Sequence, residues 1–96
     1  MPSSRVVVPT AHASRYLQQL CKHWAHKFPV EFTPDRGSIE LSAGTAALEA
    51  DPTTLGIQVR AGDVNAIDRL ETVVADHVKR FAFREELAFD WARGDG

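Results

Sequence analysis

Apolar residues recur along this chain with two different periods, and the change of period separates helices from strands. Spacings of three and four residues predict an amphipathic helix over residues 11–28, with Thr10 as N-cap and Pro29 as the stop. Its apolar stripe consists of Tyr16, Leu17, Leu20, Cys21, Trp24 and Phe28. A second helix is predicted from the N-cap Asp63 to about residue 84. Its stripe consists of Ile67, Leu70, Val74, Val78 and Phe81.

Alternation of apolar and polar residues predicts the strands. They are expected at residues 5–8, 30–32, 38–41, 46–50, 55–59 and 87–91. Turns are expected at residues 35–37, at residues 43–44 and at residues 51–52, because these positions carry glycine, proline and aspartate. Residues 92–96 are predicted to form a frayed tail.

The predicted fold is α+β, with the order β-α-β-β-β-β-α-β. Each helix has one apolar stripe and the sheet has one apolar face, so two layers suffice, with both long helices on the same face of a curved antiparallel sheet. Residues 1–96 provide for one domain only. The order is that of TATA-binding-protein repeats, an analogy of fold that carries no function.

The composition argues against several classes of protein. No apolar run reaches the length of a membrane span, and the start has no secretory signal, so neither membrane insertion nor export is expected. A single cysteine fits a reducing cytoplasm, and a net charge of −2 argues against nucleic-acid binding. The charge is unevenly distributed, because no acidic residue precedes Glu31. This polarity suits an anion-binding face or association as a homodimer, or it reflects chance in a short chain.

Cationic and imidazole side chains lie beside the apolar stripe of both predicted helices. The candidate ligand-binding residues are Arg15, His23, His26, His77, Arg80 and Arg84. If the helices pack side by side with these flanks facing each other, the residues would line a groove for a carboxylate, phosphate or catecholate. In the structural alternative the arginines pair with Glu85, Glu86 or strand carboxylates, and the flanks face outward.

A metal site is the second candidate. His23 and His26 are three positions apart and can share a metal, with His77 as a further ligand if the fold brings it near. Cys21 lies about 200° from His23 around the helix, so it is expected in the core as a small hydrophobe. No arrangement typical of nucleophilic catalysis is present in the sequence. Phe83 lies off the core stripe and is either a second packing contact or an exposed aromatic.

Two segments resemble the signatures of a bacterial family, the domain of unknown function 2218. They are residues 12–32, HASRYLQQLCKHWAHKFPVEF, and residues 76–85, DHVKRFAFRE, and residues 9–16 fit the opening motif of the family. The family has no established reaction. Its members occur beside, or fused to, flavin-dependent siderophore-interacting reductases, so the resemblance implies a link to iron or siderophore handling and a reductase of that kind as a partner. It identifies no catalytic residue, and the cofactor, if one is used, is unknown.

Three hypotheses for the function follow. The first is a non-catalytic binding module that presents a His/Arg surface to an anionic small molecule. The second is a metal-binding protein or metal-dependent enzyme that uses His23, His26 and His77. The third is a structural or dimerisation domain without a ligand. The relative positions of His23 and His77 in the structure bear most directly on this choice.

Overall fold

The structure, a computed structural model, describes residues 2–82 and 84–94. Two helices and six strands follow one another in the predicted order, which confirms the α+β fold. The elements are β1 (Ser3–Pro9), α1 (Ala13–Trp24), β2 (Val30–Phe32), β3 (Arg36–Leu41), β4 (Gly44–Ala50), β5 (Thr54–Ala61), α2 (Val64–Phe81) and β6 (Ala92–Gly94).

The six strands form one antiparallel sheet in the order β2-β3-β4-β5-β1-β6. Strands β2 to β5 are a meander, and β1 completes the sheet beside β5, where Val6 pairs with Ile57. Because side chains alternate across a strand, one face of the sheet is apolar. The residues buried on that face include Val6, Val8, Ile39, Leu48, Leu55, Ile57 and Val59.

Both helices cover the apolar face with most of the stripes that the spacing predicts, but Phe28 lies beyond α1 and Phe81 is only half-buried. Helix α1 buries Ala13, Tyr16, Leu17, Leu20, Cys21 and Trp24, and α2 buries Ala66, Ile67, Leu70, Val74, Ala75 and Val78. The helices run antiparallel to each other. Near the start of α1, the hydroxyl of Tyr16 donates to Glu85, just beyond α2, while at the end of α1 the ring of Trp24 meets that of His77.

The ends of the helices differ in part from the prediction. Asp63 is the N-cap of α2, as expected, and its Oδ1 accepts from the Ala66 N–H at 2.8 Å. Thr10 is not the N-cap of α1. That position belongs to His12, whose N–H donates to Thr10 Oγ1 at 3.1 Å. Helix α1 also ends four residues early, at Trp24, because residues 25–28 tighten into turns in which the Lys27 N–H donates to the Trp24 carbonyl.

Several strand boundaries require correction. Strands β1, β4 and β5 are longer than predicted, and Gly44 begins β4 instead of lying in a turn. Arg36 and Gly37 are not in a turn but in β3. The turn lies earlier, between Thr33 and Arg36, and in it the Arg36 N–H donates to Thr33 Oγ1 at 3.2 Å. The last strand is not residues 87–91 but residues 92–94, which pair with β1 and were expected to fray. Phe83 and residues 95–96 lie outside the described residues. Within the described ranges, neither helix has the length and apolarity needed to cross a membrane.

Candidate functional site

Two histidines from different helices meet where α1 ends. The ring centroids of His23 and His77 lie 5.2 Å apart, and the ring of His77 lies 4.9 Å from that of Trp24. Phe81, one turn further along α2, packs edge-on against His23 with centroids 6.1 Å apart. His23 is exposed and Trp24 is buried, so the two imidazoles cover the indole at the surface of the helix layer.

A hydrogen bond within α2 holds the ring of His77 in place. Its Nδ1 lies 2.7 Å from the carbonyl oxygen of Val73. A carbonyl oxygen only accepts, so Nδ1 carries the proton and Nε2 is the nitrogen left for a ligand. In the neutral imidazole Nε2 is therefore able to accept a hydrogen bond.

These residues line one cleft with a volume of about 530 Å³. It lies between the end of α1, the middle of α2 and the turn that joins β3 to β4. We call it the histidine cleft. Its basic and imidazole lining residues are His23, His26, Lys27, Arg69 and His77. Its apolar lining residues are Trp24, Phe28, Leu41, Ala43, Leu70 and Val73, and Ser42 adds a hydroxyl.

The charge of the histidine cleft is one-sided. Of the described residues that line it, none is acidic, although the whole chain carries a net charge of −2. Lys27 and Arg69 carry positive charge at neutral pH. The cleft therefore combines positive charge at its rim with apolar walls such as Phe28 and Leu41.

The predicted site residues separate into two groups. His23, His26 and His77 line the histidine cleft, whereas Arg15, Arg80 and Arg84 do not. Arg69 and Lys27 line it and were not predicted. A signal for Arg69 exists in the sequence, because it precedes Val73 by four residues and His77 by eight, which places all three on one side of α2.

The three histidines do not make a three-ligand metal centre. Among residues 2–82 and 84–94, no group of three or more His, Cys, Asp or Glu side chains is arranged to hold a metal ion. His23 and His77 are neighbours, so any metal held by these two would need its remaining ligands from solvent or from a bound molecule.

Cys21 belongs to the core and not to the site. Its side chain is fully buried beneath α1, and burial raises the pKa of the thiol to about 11. A thiol with so high a pKa is protonated at neutral pH and is a poor nucleophile.

Two carboxylates near the C-terminal segment serve as structural acceptors. Glu85 accepts from Thr10 Oγ1 at 3.2 Å and from the hydroxyl of Tyr16, which joins the end of α2 to the start of α1. Glu71 accepts from Arg93 at 2.8 Å and from the buried Ser4 hydroxyl at 2.5 Å. Both lie outside the lining of the histidine cleft.

Another concavity, of about 370 Å³, lies on the outer face of the sheet. Its lining residues include the cation Arg5 and the carboxylates of Glu49 and Asp51. Its charges are of both signs and its floor is a solvated face of the sheet. It is therefore less suited to a charged or apolar ligand than the histidine cleft is.

Comparisons with known proteins agree with the fold. A family model described as "Uncharacterized protein conserved in bacteria (DUF2218)" matches residues 5–92. The NMR structure of PA4090 from Pseudomonas aeruginosa is similar, with a TM-score of 0.82 and 39% sequence identity, and the match covers 96% of each chain. No curated protein matches the chain significantly.

Proposed function

The chain belongs to the bacterial family DUF2218, whose description names no activity, and on that premise we propose a function from the histidine cleft: it binds a small organic anion that has an apolar body. One observation carries the proposal. Five basic or imidazole side chains and six apolar ones line the same cleft, and none of its described lining residues is acidic. The protein is thus a binding module, the first of the three hypotheses.

The physical argument concerns what such a cleft stabilises. Its volume of about 530 Å³ falls in the range of small-molecule sites, which are mostly apolar with a few polar groups that orient the ligand. An apolar body gains from leaving water against Phe28, Leu41 and Val73. Its anionic group gains from Arg69 and Lys27, and these exposed charges act only over about 8–10 Å at physiological salt.

A link to iron handling is compatible with this chemistry. A catecholate joins an aromatic ring to oxygen anions, so it has both the apolar body and the negative charge that the histidine cleft suits. A catecholate fragment such as 2,3-dihydroxybenzoate is therefore one probe of the histidine cleft. A siderophore-interacting reductase as partner is a further hypothesis, which rests on the family resemblance and not on the cleft.

The test is a titration followed by backbone amide shifts. Benzoate, 2,3-dihydroxybenzoate and phosphate are each added to the isotope-labelled protein. We expect the two aromatic acids to shift amides around His23, Phe28, Ser42 and Arg69, and phosphate to bind more weakly because it lacks an apolar body. Arg69→Gln should weaken the binding of the aromatic acids about tenfold, the effect of losing one charge-assisted hydrogen bond.

Matched controls lie on the same helices outside the histidine cleft. Arg80→Gln on α2 and His12→Gln at the start of α1 replace exposed residues that do not line it, so binding should be unchanged. Shifts that are spread over the outer face of the sheet, or no saturable shifts at all, would reject the proposal. Tight zinc binding with shifts confined to His23, His26 and His77 would favour the metal hypothesis instead.

A further inference from the structure

The histidine cleft has two chemically different ends. Helix α2 contributes Arg69, Val73 and His77 to its lining, at intervals of four residues on one side of the helix. Arg69 and His77 are eight residues apart, or about 12 Å along the helix axis. Val73 lies between them and exposes 39% of its surface, so an apolar stretch separates two polar groups.

Independent contacts fix each end in the fold. The His77 end is closed by α1, because the ring centroid of His77 lies 4.9 Å from that of Trp24 and 5.2 Å from that of His23. The Arg69 end lies at the turn between β3 and β4. There Leu70, the neighbour of Arg69, packs so closely on Gly44 that a Cβ at Gly44 would lie 3.0 Å from Leu70 Cδ1.

The Arg69 end is suited to a carboxylate. A guanidinium is charged at every physiological pH and donates two parallel hydrogen bonds to the two oxygens of a carboxylate. Ser42, in the adjoining turn, lines the same cleft and adds a hydroxyl donor.

The His77 end is suited to a hydroxyl group. The bond from Nδ1–H to the Val73 carbonyl leaves Nε2 of the neutral ring as an acceptor. A phenolic or alcoholic O–H donates to such a nitrogen, whereas a second carboxylate would have no proton to donate. The ring centroids of His23 and His77 lie 5.2 Å apart, so the imidazole of His23 lies beside the same hydroxyl group.

We propose that the histidine cleft selects aromatic hydroxy acids in which the hydroxyl group and the carboxylate are at opposite ends of the molecule. The carboxylate binds Arg69, the ring lies against Val73, Phe28 and Leu41, and the hydroxyl donates to His77. This inference rests on the proposed function and names the ligand class of the same cleft.

A set of related probes tests the two ends separately. The probes are 3-(4-hydroxyphenyl)propanoate, its 2-hydroxyphenyl isomer and 3-phenylpropanoate, each titrated by calorimetry and amide shifts. We expect the 4-hydroxy acid to bind about fivefold tighter than 3-phenylpropanoate, the effect of one added neutral hydrogen bond. The 2-hydroxy isomer should gain nothing, because its hydroxyl group is next to the carboxylate arm.

Variants show which residue is responsible for the affinity at each end of the cleft. His77→Asn keeps an N–H near the position of Nδ1 but has no counterpart of Nε2, so it should abolish the fivefold preference by weakening the 4-hydroxy acid more than 3-phenylpropanoate. Arg69→Gln should weaken both acids by about the same factor of ten. His12→Asn and Arg80→Gln, which replace exposed residues outside the cleft, should leave all affinities unchanged.

The outcomes distinguish this inference from the proposed function. Equal affinities for the three acids, or a preference that survives in His77→Asn, would overturn the inference while leaving an anion-binding cleft. If none of the acids shifts the amides that surround the cleft, the proposed function itself is wrong. A fivefold preference that is lost only in His77→Asn supports both.

Discussion

Gly37 of β3 lies directly against Cys21 of α1: a Cβ atom at position 37 would come within 2.7 Å of the Cys21 Sγ. The other close atoms, Leu17 Cδ2 at 3.4 Å and Phe32 Cβ at 3.5 Å, would be at ordinary contact distances. The sulfur atom therefore sets how closely the helix approaches the sheet. Position 37 needs glycine for this approach and not for its backbone angles, since no described glycine has a positive φ.

Gly37→Ala should destabilise the protein by about 1–3 kcal/mol, because the added methyl group overpacks the core. In a Cys21→Ala background the same change should cost little, because the obstructing sulfur is gone. Urea melts of the four proteins of this double-mutant cycle measure the coupling. Gly62→Ala is the control, since a Cβ there meets nothing within 4 Å. Strictly additive losses at positions 21 and 37 would contradict the contact.

Cys21 should make stability depend on pH in the alkaline range. Burial raises the pKa of its thiol from 9.0 to about 11, so the folded chain keeps a proton that the unfolded chain releases. This contribution is complete below pH 9 and is lost as the pH rises to 11. The stability advantage of the native sequence over Cys21→Ala should therefore narrow between pH 9 and pH 11. An advantage that stays constant across this window would show that the thiol is not desolvated.

The reactivity of Cys21 gives a second measurement of its burial. Its side chain has no exposed surface, so a thiol reagent at pH 8 should label the native protein slowly and the urea-unfolded protein at the rate of a free thiol. Rapid labelling under native conditions would instead indicate an accessible and reactive cysteine, and with it a redox or nucleophilic role.

Trp24 and His26 should differ sharply in their effect on folding. Trp24 is 5% exposed and lies beneath both imidazoles, so Trp24→Ala should cost about 3–5 kcal/mol of stability. His26 is exposed at the rim of the histidine cleft, and His26→Ala should change stability by no more than about 0.5 kcal/mol. Denaturant melts compare the two. Equal losses would mean that the buried face of this segment is wrongly assigned.

The spacing of apolar residues was sufficient to predict most of both helix stripes and the order of helices and strands along the chain, but not which basic residues meet. A helical wheel gives the angle of a residue around the axis and not its position along it. Arg80 lies on α2 three residues after His77, whereas α2 ends at Phe81, before Arg84. However, α1 ends at Trp24, beside His77, so the open space lies toward Arg69 and not toward Arg80. The same reasoning separates Arg15 from His23, which lies about 12 Å further along α1.

Alternation misplaced the last strand for a different reason. Leu87, Phe89 and Trp91 alternate with Ala88 and Asp90 because they are half-buried against the core, not because they pair with a neighbouring strand. Phe89 stacks on Trp91 with ring centroids 6.3 Å apart, and Lys79 Nζ lies 5.5 Å from the centre of the Phe89 ring. Pairing with β1 starts only at residue 92, where the chain reaches the free edge of that strand. Such packing on the helix layer depends on tertiary structure, which local periodicity does not report.

Arg93 should secure this last strand to α2 in a way that depends on pH. It pairs with Glu71 and Asp68, and together with the Ser4 hydroxyl it holds the pKa of Glu71 below its usual value of 4.5. The resulting stability is complete above pH 4.5 and is lost as the pH falls through the lowered pKa. Arg93→Met should therefore destabilise the protein at pH 7, and the difference from the native sequence should shrink in acid. Arg60→Met, on the exposed face of β5, is the control and should show no such dependence. A difference for Arg93→Met that is the same at pH 7 and at pH 3 would mean that Arg93 acts through packing and not through its carboxylate partners.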